Sequence, residues 1–329
     1  MDCWAALEVA PWVGAGIKRS DLSDGLYEAS GRDPSLFTFH IRGGTVELVK
    51  VRDDLLTPFK FEFCNARALV LRGFLQQVVS EHQIDCDMLL GVRMEDRGPD
   101  ERNIPIFCFH KLRHESNILL PDLDFVLNDF FEDAAYRDPT PFSDKCPEAF
   151  FVGATTGGIV AMDRVEAGSH ERIRAARFFK DKPGVTFEIS QVVQCDSVET
   201  QLHVESLVSL SAAHRSWQEQ MGYRYILSMD GNGASWSRTT VGLSSNSVLV
   251  KYASPYLLYY FHGLEPWVHY IPVRRDHEVL DLVARAERTI ERDLRIAEAG
   301  SAFVAQHLTR KAVVVYTAEL LRQYHRALS

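Results

Sequence analysis

Between Tyr223 and Val273 the sequence gathers the residue types that can hold a phosphorylated ligand. Asp230-Gly231-Asn232-Gly233-Ala234-Ser235 follows directly on the apolar run YRYILSM. Small residues after a strand let backbone N–H groups approach an anion, and a helix that follows turns its amino end toward it. Arg238 lies three residues past Ser235, one helical turn on, where a guanidinium can fork onto phosphate oxygens. The same spacing fits a tight turn and a capped helix with a solvated arginine, so spacing alone leaves both readings open.

Other chemistries fit less well. The loop lacks the Lys-Ser/Thr of a Walker A motif, and a calcium loop starting at Asp230 would meet Val241 where it needs Glu. No GxGxxG of the dinucleotide form occurs, which argues against a nicotinamide-dependent dehydrogenase. Asp85-Cys86-Asp87 and Asp122-Leu123-Asp124 have the DxD spacing that can hold a divalent metal, but helix capping and surface charge explain both. Cys3, Cys64, Cys86, Cys108, Cys146 and Cys195 form no CxxC pair, so they read as reduced thiols and no metal site is expected.

The elements that must position these groups are those of a layered α/β protein. The 329 residues, 46% hydrophobic and 25% charged, suffice for two domains of roughly 150 residues each. A net charge of −9 with no basic block excludes non-specific nucleic-acid binding as the main role. No apolar run reaches the roughly 20 residues of a membrane span. The start MDCWAALEVAPWVG lacks a basic n-region and is not read as a secretory signal. The expectation is a soluble, cytoplasmic protein that could sit against a membrane surface.

Residues 1–34 are polar and turn-rich and suggest no firm element. A hairpin is expected around Arg42-Gly43-Gly44, and a helix over Asn65–His82 with Asn65 as N-cap. CDMLLGV and IPIFCF read as buried parallel strands, and DLDFVLNDFFEDA as a short helix. Three prolines in PTPFSDKCP (139–147) mark a boundary. The expected domains are therefore 1–145, 146–305, and a final helix at 306–329 packing back toward the first. Beyond the boundary, AFFVGATTGG, GVTFEI, YRYILSM, SVLVKY and VHYIPV read as strands, HERIRAARFFKDK as a basic helix, and three helices follow Asp276. Alternating strands and helices predict parallel sheets.

The run D-G-N-G-A-S-W-S-R, the strand S-V-L-V-K and the block L-E-P-W-V-H-Y-I-P-V together resemble glycosyltransferase family 90. The Pro266-Trp267-Val268-His269-Tyr270 block with Pro272 is the most specific part. A helix containing Ala-Glu-Ala-Gly, then VVVY and LLRQY, also matches. The likeness covers about residues 60–329 and is strongest over 223–273. It implies the GT-B architecture, two Rossmann-like domains facing across a cleft with the last helices crossing back. It also implies transfer of a glucose- or xylose-type sugar from a UDP-sugar, with inversion, to a hydroxyl of a glycan, lipid-linked glycan, lipopolysaccharide, capsule or protein acceptor. No metal and no cofactor beyond the co-substrate is implied.

Carried onto this sequence, the resemblance gives Arg238 the diphosphate, and sets Asp230, Gly231, Gly233, Ala234, Ser235 and Ser247 at the donor. The turn Phe151–Thr156 borders the same site through Gly153, Thr155 and Thr156. Val152 stands where the family usually has Arg, and Ala154 where it usually has Ser. Val92-Arg93 is followed by Met94 where the family's base is Asp, so Glu95 or Asp96, with Asp96 preferred, becomes the catalytic candidate. Lys111 and His269 are further candidate contacts in the cleft, and Trp267 is either packing or a sugar platform. The departures at Val152, Ala154 and Met94 keep an alternative in play: a nucleotide-sugar-binding protein of the same fold without catalysis.

Overall fold

A computed structural model describes residues 2–15, 17–50, 53–96, 98, 101 and 103–328. Two units interleave along the chain. Met1–Phe130, Pro255–His262 and His307–Ser329 form the first; Phe131–Ser254 and Gly263–Gln306 form the second. The proline-rich segment 139–147, where a boundary was expected, lies inside the second unit, where the Asn246 N–H donates to Asp138 (2.8 Å) and Lys145 Nζ to the Met221 carbonyl.

In the first unit, β1 (Leu36–Arg42) and β2 (Thr45–Lys50) form the expected hairpin. Gly43 (φ 55°) and Gly44 (φ 74°) both take the left-handed conformation that two-residue hairpin turns need. The sheet adds β3 (Met88–Arg93), β4 (Ile106–Cys108) and β6 (Ile118–Leu119) in the order β2-β1-β3-β4-β6. β3, β4 and β6 are parallel, whereas β1 runs antiparallel to β3, so this sheet is mixed. A small ladder joins β5 (Lys111–Leu112) to β11 (Tyr256–Leu257). Residues 1–34, unassigned from sequence, contain α1 (Asp2–Val9) and α2 (Arg19–Arg32). Leu22, Leu26 and Ala29 of α2 are buried one turn apart. Gly25 in its middle is required by packing, since a Cβ there would lie 2.7 Å from Ile104 Cγ2. α3 (Pro58–Glu81) starts seven residues before the expected Asn65, capped by Thr57 with Pro58 at its first position. α4 (Leu123–Leu127) is capped by Asp122. α12 (Arg310–Ala327) packs here through buried Tyr316 and Tyr324, whose hydroxyls donate to the carbonyls of Leu119 and Leu89 (both 2.9 Å).

The second unit holds β7 (Cys146–Gly153), β8 (Val185–Ile189), β9 (Tyr223–Ser228), β10 (Val248–Tyr252) and β12 (Ile271–Val273). They form one parallel sheet in the order β12-β10-β9-β7-β8. β9 and β10 are buried almost throughout, as parallel strands covered on both faces must be. The expected strand VHYIPV begins only at Ile271, because Pro266–Tyr270 closes into a turn. Around the sheet lie α5 (Met162–Glu166), α6 (Glu171–Phe179), α7 (Val198–Leu207), α8 (Trp217–Met221), α9 (Ser237–Ser244), α10 (Asp276–Ala284) and α11 (Ile290–His307). From β7 the chain steps to β8 on one side and then to β9 on the other. Strand order therefore reverses between β7 and β9, and ligands of such sheets bind at the carboxyl ends of the strands at that point.

Candidate functional site

The loops after β7 and β9 meet at this switch point, and one side chain ties them together. Arg172, from α6, donates through Nη1 to the Ala154 carbonyl (2.8 Å) and Thr156 Oγ1 (2.9 Å). Through Nε and Nη2 it donates to the carbonyls of Asp230 (2.9 Å) and Met229 (3.0 Å). Gly231 must be glycine because a Cβ would fall 2.5 Å from Thr156 Oγ1 and 3.0 Å from Arg172 Nη2. Opposite, Gly157 (φ +139°) and Gly158 (φ +100°) adopt backbone conformations reserved for glycine, and their N–H groups donate to Asn232 Oδ1 (3.1 and 3.3 Å).

Arg238 is the second residue of α9 and reaches back across the end of β7. Its Nη1 donates to Gln220 Oε1 (2.9 Å) and its Nη2 to the Val152 carbonyl. The guanidinium stands 4.8 Å from the Phe151 ring centroid, and that of Arg172 stands 5.5 Å from the same ring. Neither arginine has an ion-pair partner among the described residues. Burial pulls Arg172 down to about 10, an effect Asp230 and Glu171 partly oppose. Burial, with the Arg172 charge adding to it, pulls Arg238 down to about 9. Two largely desolvated cations with no carboxylate at ion-pair distance among the described residues, under loops of small residues, favour an anion.

His170, at the amino end of α6, is 2% exposed, and neither ring nitrogen has a partner of good hydrogen-bond geometry among the described residues. It faces Gly157, where a Cβ would be 3.4 Å from Nε2. Burial first, then the charges of Arg164 and Arg172, push it down to about 4, so it is neutral at neutral pH. Arg172, His170 and Asn232 were not singled out from sequence. Their signals were slight: a basic helix, and one Asn between two glycines.

Of the expected donor residues, Gly153 ends β7, and Thr156, Asp230, Gly231, Gly233, Ala234, Ser235 and Arg238 lie on these two loops or the helix after them. Thr155 borders them, but its hydroxyl is turned away, donating to the Val193 carbonyl (2.9 Å) and accepting from the Val193 N–H (2.8 Å). Ser247 is not part of the group. It precedes β10 at the amino end of the sheet and donates to the Tyr223 carbonyl (2.7 Å). His269 accepts at Nδ1 from the Glu265 N–H (3.0 Å) and packs on Phe303, a bonded structural imidazole whose pKa burial lowers.

In the first unit, Lys111 is a core residue. Its Nζ donates to Glu8 Oε2 and the Asn117 carbonyl (both 2.7 Å), and the lysine is only 8% exposed, so it has no free charge for a ligand. Met94 is fully buried, which turns the following residues outward. Glu95 pairs with Lys60 (2.9 Å) and Asp96 with Arg67 (3.4 Å), both bases coming from α3. The Asp96 carbonyl also meets His110 Nε2 (2.7 Å). Both candidate carboxylates are thus half-buried, positioned and charge-paired.

A parallel sheet with an anion-favouring switch point defines a nucleotide-type α/β ligand unit. The particular family follows from sequence comparison. The profile described as Glycosyl transferase family 90 matches residues 80–329, and the chain belongs to that family. It is 34% identical over 123 residues to protein O-glucosyltransferase 2 of Danio rerio, covering 37% of this chain and 24% of that one. It is 25% identical over 266 residues to protein O-glucosyltransferase 1 of Bos taurus, covering 74% of this chain and 63% of that one. The chain therefore spans less than two thirds of either relative. Among solved structures, Anabaena Alr3699/HepE in complex with UDP-glucose aligns over 55% of this chain and 49% of that one, at 9% identity and a TM-score of 0.36. At that score the fold is read from this chain's own strand order. Among the described residues no helix is long and apolar enough to cross a membrane.

Proposed function

We propose that the protein is a glycosyltransferase of the GT-B type that takes a sugar from a UDP-sugar and passes it to an acceptor hydroxyl. The observation that carries this reading is the pair Arg172 and Arg238, two guanidiniums with no ion-pair partner among the described residues, at the switch point of a parallel sheet. Arg172 is fully occupied as a clamp, so Arg238 is the cation that would turn to a diphosphate. The Gly157 and Gly158 amides, now on Asn232, would assist it. In the reaction the acceptor oxygen bonds to the anomeric carbon as the bond to the diphosphate breaks. The acceptor proton passes to Asp96 or Glu95, and the charge gained by UDP is held by Arg238. A positioned base is worth about 10²–10⁴-fold in rate. Inversion, and transfer without a bound metal, come with the family resemblance, as do the glycan, lipid-linked glycan or protein acceptor classes.

The test is a panel of UDP, UDP-glucose and UDP-xylose scored by thermal shift, followed by transfer assays with EDTA present. A donor at 100 times its dissociation constant stabilises by about 2.7 kcal/mol. Asp96→Asn and Glu95→Gln should retain that shift and lose turnover singly or together. Absence of any UDP-dependent shift overturns the reading. The second reading, nucleotide-sugar binding without catalysis, is favoured by one observation: both candidate bases are already ion-paired to α3. Unchanged transfer in the doubly substituted protein would remove this loop from catalysis.

A further inference from the structure

The most specific block of the sequence, Pro266 to Tyr270, is not taken up by the loops after β7 and β9. His269 is structural, and Trp267 is 54% exposed, too open for packing to be its purpose. Trp267 also sits at φ +65°, a conformation costly for a bulky side chain that persists only when the surroundings enforce it. The enforcement is visible. The Trp267 N–H donates to the Tyr270 carbonyl (2.7 Å), and the N–H groups of Val268 and His269 donate to the Glu265 carbonyl (3.3 and 3.0 Å). The turn is pinned to α11 at Gly300, where a Cβ would fall 2.9 Å from the His269 carbonyl oxygen. This close approach also accounts for the glycine that ends the Ala-Glu-Ala-Gly pattern.

The indole is then braced from the core. Tyr225 of β9 donates to Asp293 Oδ2 (2.7 Å), as does Thr289 (2.7 Å). Fully buried Asp293 holds Arg292 through Nε (2.8 Å) and Nη2 (2.7 Å). Arg292 in turn lies 5.7 Å from the Trp267 ring centroid. An exposed aromatic ring fixed by a chain running back to a buried tyrosine is a preorganised contact surface.

Beside it opens a cavity of 240 Å³ lined by Trp267, Glu278, Asp281, Arg285 and Arg292 and by β12, which has a sheet neighbour on one side only. Asp281 and Arg285 are exposed and have no ion-pair partner among the described residues. None of the lining residues belongs to the loops after β7 and β9. A sugar ring combines a C–H-rich face with a rim of hydroxyls. An aromatic face takes the first, while carboxylates and guanidiniums bond the second. Two carboxylates face Arg285 and an Arg292 already held by Asp293, so the lining has no excess positive charge, which disfavours a phosphate and suits an uncharged ligand.

We propose that Trp267 and this cavity form a second, saccharide-binding site, separate from the donor loops, that takes a neutral sugar residue. Giving that sugar a role as part of an acceptor or product glycan rests on the transferase reading; the binding itself does not. The test is saturation-transfer NMR of the full chain with maltotriose, xylotriose and cellotriose, with and without saturating UDP. At least one should bind, and remain bound with UDP present. Asp281→Asn with Arg285→Gln, on an exposed helix face, should weaken it about tenfold or more, as should Trp267→Ala, with UDP binding unchanged. Arg238→Met should do the reverse. If none of the three binds the wild type, if the variants bind as well as wild type, or if uridine displaces the sugar, the proposal is wrong. Failure of wild type to bind UDP would sink the transferase reading and leave the saccharide result to decide this one.

Discussion

Replacing Arg238 and Arg172 separately with Met should separate stability from ligand binding. Arg172→Met leaves the carbonyls of Ala154, Met229 and Asp230 and the Thr156 hydroxyl without their donor. At about 1–3 kcal/mol for each acceptor left unpaired, the loss is several kcal/mol, of which removing a charge pulled from 12.5 to about 10 returns only about 2 after screening. On the same scale Arg238→Met leaves two acceptors unpaired, at about 1–3 kcal/mol each, and gives up its place over Phe151, about 1 kcal/mol. It also removes a charge whose pKa has been pulled from 12.5 to about 9. At 1.36 kcal/mol per unit that is at most about 5 kcal/mol of destabilisation relieved, and about half of that after screening at a half-buried site. The net change is a loss of about 1–4 kcal/mol, smaller than for Arg172→Met. UDP binding should behave the other way for Arg238→Met: hydrogen bonds to a charged group are worth about 1.5–3 kcal/mol, so affinity should fall about 10–100-fold. Urea denaturation and UDP-induced thermal shift on the same two variants decide it. An Arg238→Met protein as unstable as Arg172→Met, or one that keeps the full UDP shift, would refute the assignment of clamp and ligand roles.

Because His170 falls to about 4 when folded against a usual 6.5, the unfolded chain binds the extra proton first, and stability is lost as pH falls from 6.5 toward 4. The shift of about 2.5 units corresponds to about 3 kcal/mol, so His170→Leu should flatten the pH dependence by that amount in denaturation series at pH 4 and 7. Lys111→Met takes the lysine charge from buried Glu8, which keeps the Leu119 N–H (2.9 Å) and His262 Nε2 (2.7 Å), and should cost at most about 3–5 kcal/mol, with Glu8→Gln added to it restoring part of the loss in urea titrations. Gly231→Ala drives a methyl group into the Thr156–Arg172 contact and should weaken UDP binding while leaving the first unit's unfolding transition unchanged.

The second unit was the more legible. Its strands are continuous apolar runs, and its loops carry Gly and Ser where a parallel sheet needs them. The hairpin was equally plain, because Gly43-Gly44 has few other uses. The helices of the first unit were less so, for local reasons. PFKFEF alternates with the period of a strand, yet Thr57 and Pro58 start a helix there. Gly25 interrupts the apparent pattern of α2, although Leu22, Leu26 and Ala29 carry it, because the interruption answers to Ile104 far along the chain. In the candidate site Arg238 could be placed by spacing from the Asp230–Ser235 turn, but Arg172 could not. Its four acceptors come from two loops more than fifty residues apart in sequence. Ser247 and Lys111 look identical in sequence to ligand-binding residues. Only the sheet end of one and the buried partner of the other distinguish them.

The interleaving of the two units bears on how the protein is made. The first unit's core needs Tyr316 and Tyr324, which a ribosome reaches after every residue of the second unit. The second unit can complete its parallel sheet once Ile271–Val273 is out, while the first still exposes the face of its sheet that α12 covers. Domains tend to fold as units during synthesis, and exposed apolar surface invites association. The first-made half of this chain is therefore the last to be finished. A premature stop before Arg310 would release a nascent protein with one unit folded and the other open, a natural client for chaperones.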